Sequence, residues 1–232
     1  PYERYIPQMI YLRPEVEVVK TRLLKGSAYI DFPVSRTEIY RDYHDNTNEL
    51  RKITGTIDSV KNDSDITIRH LSIKGFASPE SPYANNTRLA QGRTEALKAY
   101  VENMYLFGKG FIDTSYEPEN WEGLEAYVVN STLPHRDEIL AAIRSDRDPD
   151  NKEWFIKSRW KADYKYLLEH CYPALRHSDY KVEYTIRSYT KPEEIEHIML
   201  TAPQKLSLEE FFVLALTYEE GSEELDELRK IA

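Results

Sequence analysis

Residues 66–104, ITIRHLSIKGFASPESPYANNTRLAQGRTEALKAYVENM, decide how the rest of the chain is read. An apolar run ends at Gly75, a polar loop with two prolines follows, and an amphipathic helix opens near Asn86. Asn86, Leu89, Ala90 and Arg93 are spaced 0, +3, +4 and +7, which places them on one face of that helix. Arg93 stands four residues from Leu89 and four from Leu97, in a row that otherwise points inward. A guanidinium in such a row needs a partner, because an unpaired charge out of water is costly. The segment therefore predicts a docking place for an anionic group between a strand end and a helix. The apolar phase slips between Ile66/Ile68 and Leu71/Ile73, which predicts a bulge near Arg69–His70.

Working outward, residues 15–34 hold two β-rich runs around Lys25-Gly26, read as a hairpin or strand-turn-strand. Residues 46–60 carry apolar side chains at 50, 53, 57 and 60, a helical spacing. A short strand is expected over 108–115 and a helix after Glu119-Asn120-Trp121. Residues 134–175 read as helical, with a turn at 145–151. In 180–189, Val182, Tyr184 and Ile186 alternate with polar neighbours, the pattern of a half-buried strand. Beyond it, Pro192 starts a short helix. Ser207 and Glu210 form a capping box, and Gly221-Ser222 precedes a last helix. The predicted order is β-β-α-β-α-β, a helical insertion and a final β, an α+β arrangement closed by a C-terminal helical hairpin.

The 232 residues suffice for one domain or somewhat more. The net charge of −9 disfavours a phosphate-backbone partner and adsorption to anionic lipid. The single cysteine, Cys171, precludes an internal disulfide and a Cys-based zinc site. No apolar run is long enough to span a bilayer. Starting abruptly at Pro1 and stopping at Ala232 just after a helical pattern, the chain reads as an excised piece of a longer, exported protein, so that the lack of a visible signal peptide carries little weight.

Several tempting motifs carry bland readings. His170 and Cys171 are adjacent on a helix and so point apart, which argues for a packed cysteine rather than a nucleophile. Asp146, Asp148 and Asp150 alternate as in a calcium loop, but Asn151 and Lys157 stand where glycine and a bidentate glutamate belong, leaving a solvated turn. The aromatic residues of 158–176 recur at helical spacing and read as core. Arg93 itself has an ordinary alternative, pairing with Glu95 or a loop carboxylate. Asn86 is suited to be an N-cap, a role compatible with ligand contact. The chain is read as non-catalytic, with no cofactor and no metal.

The glycine, loop and helix residues Gly75, Asn86, Leu89, Ala90, Arg93, Thr94 and Leu97 resemble the OmpA-like C-terminal domain, the module that holds Gram-negative outer-membrane proteins on peptidoglycan. Residues 28–39 are similar to that family's first strand and loop. Glu119-Asn120-Trp121 and the helical tail resemble a subgroup of multi-domain cell-envelope proteins, some of them fimbria-associated. The resemblance implies a two-layer β-α-β-α-β domain over 27–190 with a helical insertion at about 131–176. It is preceded by the end of a truncated β-rich domain (1–26) and followed by a tetratricopeptide-like region (191–232). It further implies a periplasmic, outer-membrane-associated anchor that binds the diaminopimelate of the peptidoglycan stem peptide. Carried over, Arg93 clamps the ligand carboxylate, and Ser78, Asn86, Leu89 and Glu80 complete the pocket. The family's aspartate for the ligand ammonium corresponds to Ser78, which brings a hydroxyl but no charge. A second reading keeps the fold but drops the ligand, using the helical tail to grip a protein partner in surface or fimbrial assembly.

Overall fold

The computed structural model describes residues 12–232, so the part of the expected 1–26 segment that covers 1–11 lies outside the described residues. The chain is mixed α+β. Among the described residues there are ten α-helices and four strands.

The strands are β1 (Lys20–Ala28), β2 (Ile66–Phe76), β3 (Ile112–Glu117) and β4 (Ser178–Ile186). They form one sheet in the order β1-β4-β2-β3. β2 and β3 run parallel, with Leu71 opposite Ile112 and Phe76 opposite Glu117. Backbone bonds from Phe76 N to His177 O and from Arg187 N to Asp65 O show that β4 is antiparallel to β2.

One expectation is corrected here. Lys25-Gly26 is not a turn, because β1 runs straight through it. A Cβ on Gly26 would lie 2.3 Å from the Tyr180 hydroxyl oxygen, so the glycine serves close cross-strand packing against β4. β2 is unbroken, and its exposure phase shifts at His70–Leu71, where two successive residues are both at least partly covered.

Helix α1 (Asn46–Lys61) buries Leu50, Ile53, Ile57 and Val60, the row its spacing predicts. The Tyr180 hydroxyl on β4 donates to Lys52 O of α1 at 3.2 Å. Helix α2 (Tyr83–Tyr105) starts three residues before Asn86, after Pro82. Asn86 is therefore not an N-cap. It sits inside the first turns, buried. The Tyr105 hydroxyl at the far end of α2 donates to Thr54 O of α1 at 3.0 Å, so the two helices brace each other. α2 approaches β2 closely at Gly75, where a Cβ would meet Thr94 Oγ1 at 2.0 Å. Only glycine permits that approach.

Between β3 and β4 lie α3 (Trp121–Val129), α4 (Arg136–Ile143), α5 (Pro149–Arg159), α6 (Lys161–His170) and α7 (Tyr172–Leu175). These five helices share a core that includes Leu124, Ile139, Ile156, Leu167, Cys171 and Tyr172, with Trp121, Phe155 and Trp160 packed against it. Of the aromatic residues of 158–176, Trp160, Tyr164 and Tyr172 thus contribute to packing, whereas Tyr166 is exposed. The final helices are α8 (Pro192–Thr201), α9 (Leu208–Ala215) and α10 (Glu223–Ile231). Both bonds of the Ser207/Glu210 capping box form at the start of α9.

By contacts, the chain divides into two compact units. One comprises 23–64 and 68–184. The other comprises, among the described residues, 12–22, 65–67 and 185–232. No helix among the described residues is long and apolar enough to cross a membrane.

Candidate functional site

The loop from Ala77 to Pro82 joins β2 to α2, and the chain pins it from two sides. Asn120 N donates to Ala77 O at 2.9 Å, and Ala77 N to Glu117 O at 3.1 Å. Asn86 Nδ2 reaches back to Ser81 O at 2.7 Å and across to Glu119 Oε1 at 2.9 Å. The other Glu119 oxygen accepts from Trp121 Nε1 at 2.8 Å. Tyr83 N, at the start of α2, donates to Asp150 Oδ1 at 2.7 Å. Of the aspartates that suggested a calcium loop, Asp150 therefore supports α2 and Asp148 caps α5 through Asn151 N.

This bracing frames a pocket of about 150 Å³ lined by Phe32, Val34, Ser78, Glu80, Asn86, Leu89, Arg93 and Arg176 among others. All five residues selected from the sequence, Ser78, Glu80, Asn86, Leu89 and Arg93, surround this one space. Ser78 is 2 % exposed and lines the pocket. Asn86 spends both amide protons on Ser81 and Glu119, which makes it a brace with only its carbonyl oxygen left to offer.

Arg93 is half-buried. Its Nε donates to Arg36 O at 3.2 Å, and its guanidinium lies over the Phe32 ring at 4.8 Å. The ordinary pairing considered for it does not form. Glu95 accepts instead from Thr114 Oγ1 at 2.8 Å, and Glu80 lies 3.4 Å from Arg176 Nη1. Among the described residues no carboxylate forms an ion pair with Arg93. Burial first, and the neighbouring Arg176 second, press its pKa below the ordinary guanidinium value. The cationic form is thus disfavoured by its surroundings, and an arriving anion relieves that cost.

Sequence reasoning missed Arg176, Phe32 and Glu119. Arg176 directly follows α7, two residues before the start of β4, so only the folded chain brings it beside Arg93. Nothing in its local sequence distinguishes it. Cys171 is buried at 1 % exposure, and burial pushes its thiol up to about 12, which removes thiolate reactivity.

Burial raises the Glu119 carboxyl above its ordinary 4.5, partly offset by the bonds from Asn86 and Trp121. The folded state then holds a proton that the unfolded chain has released. Stability from this group is full below pH 4.5 and declines as pH rises through the folded pKa. Glu119→Gln is expected to flatten that segment of a melting-temperature–pH curve, at a cost of about 1 kcal/mol for the altered acceptor toward Trp121. A curve with unchanged slope in the variant contradicts the assignment.

In comparisons with known proteins, no protein-family model and no curated protein matches this chain.

Proposed function

We propose that the pocket binds the diaminopimelate end of a peptidoglycan stem peptide, and that the chain is a non-catalytic module anchoring an outer-membrane or surface protein in the Gram-negative periplasm. In this reading the α+β fold is an OmpA-like domain with a helical insertion. The observation that carries the reading is Arg93: a half-buried guanidinium, held over Phe32, facing a pocket and lacking a carboxylate partner. A planar guanidinium matches a carboxylate bidentately, and such charge-assisted pairs are strong. The volume of about 150 Å³ suits one amino-acid head group, being the size of cavity that admits a benzene ring. The rest of a peptide would extend into solvent.

Calorimetric titration with a diaminopimelate-containing stem tripeptide tests it. Saturable heat is expected in the wild-type chain, with affinity reduced about 100-fold by Arg93→Ala, the loss of two charge-assisted hydrogen bonds. Binding that is indifferent to Arg93→Ala sinks the assignment.

A second reading, a module that grips a protein partner, is favoured by the helical tail. Leu200 on α8, Leu208 at the start of α9 and Leu216 at its end are each more than 60 % exposed. Scattered exposed leucines are common, so three on neighbouring helices are modest support. Absence of heat with the tripeptide would leave this as the reading to pursue.

A further inference from the structure

We propose that the pocket recognises its ligand through a carboxylate alone and does not read an ammonium group beside it. This inference rests on the peptidoglycan reading and specifies which part of the ligand is bound.

The charges around the pocket carry the argument. Two guanidiniums line it, Arg93 and Arg176, against one lining carboxylate, Glu80. Ser78 is neutral, so the lining bears a formal excess of one positive charge. Each nearby carboxylate already has a partner. Glu80 Oε1 lies 3.4 Å from Arg176 Nη1. Glu119, behind Asn86, accepts from Asn86 and Trp121. Asp31 borders an adjoining cavity of about 300 Å³ that is also lined by Arg93 and Arg176, and its Oδ2 is 3.1 Å from His44 Nδ1.

An ammonium entering here meets two like charges and must take Glu80 from Arg176. A carboxylate entering meets Arg93, which no carboxylate engages, and a second guanidinium beyond it. A guanidinium without a carboxylate partner and a carboxylate already beside a guanidinium give the pocket a preference by charge type. The Ser78 hydroxyl can donate to the same carboxylate. Glu80 therefore acts against ligand binding, because it draws Arg176 away from the incoming anion.

Pimelate has the seven-carbon dicarboxylate chain of diaminopimelate without its amino groups, and the two compounds separate the alternatives. In calorimetric titrations of the 232-residue chain, pimelate is expected to bind at least as tightly as diaminopimelate, with both weakened by added salt. Glu80→Gln is expected to strengthen both severalfold, and Arg93→Ala to abolish both. Diaminopimelate binding about tenfold or more tighter than pimelate, with Glu80→Gln weakening it, overturns the proposal while leaving the peptidoglycan reading intact. Heat from neither compound nor from the stem tripeptide, in wild type and variants alike, removes both readings together.

Discussion

Lys20→Ala is expected to lower the unfolding free energy by about 3–5 kcal/mol, the range seen when one partner of a buried ion pair is removed. Lys20 is 1 % exposed and Glu210 5 %. The ammonium lies 2.9 Å from both Glu210 oxygens and 2.9 Å from Lys205 O, and sits 4.2 Å above the centre of the Tyr189 ring. Glu210 in turn accepts from Tyr189 N at 2.6 Å and from Ser207 N at 2.7 Å. Deleting the ammonium leaves a carboxylate buried with backbone donors but no counter-charge. Pairing Lys20→Met with Glu210→Gln should recover more than half of the loss, since the remaining group is neutral. Urea unfolding of the three proteins measures this. A loss under about 1 kcal/mol for Lys20→Ala would show that solvent reaches the pair and screens it.

Gly75→Ala is expected to cost about 1–3 kcal/mol through overpacking and to weaken ligand binding as well. The added Cβ would stand 2.0 Å from Thr94 Oγ1, which is itself tied to Ala90 O at 2.7 Å. Either Thr94 abandons that bond or α2 moves off the sheet, carrying Arg93 with it. Thr94→Ala removes the nearest atom and leaves a Cβ contact of 3.2 Å, so the double variant should be more stable than the two single losses predict. Strict additivity would mean that strand and helix do not meet as described.

The legible parts of this chain were those governed by local periodicity. The row Leu50, Ile53, Ile57 and Val60 and the row Leu89, Ala90 and Leu97 reappear as buried helix faces. The capping box at Ser207 and Glu210 was readable because its two hydrogen bonds join residues three apart. Gly26 misled because a glycine that makes room for a ring on another strand looks, in sequence, like a glycine that makes a turn. At Asn86 an excellent capping residue was drawn instead to Glu119, a partner far along the chain. Arg176 was invisible for the same reason: its place in the pocket depends on where β4 is inserted.

That insertion has a kinetic consequence. The last strand of the sheet to be synthesised lies between the first two in the order β1-β4-β2-β3. Until residues 178–186 emerge, β1 and β2 have no common neighbour, and the flank of β2 that later receives β4 is an unpaired edge open to other chains. Such long-range closure slows folding, and the five intervening helices must form while the edge waits. The nascent chain is thus most exposed to mispairing during synthesis of α3–α7. A product truncated before Ser178 would keep most of its helices and present a sticky sheet.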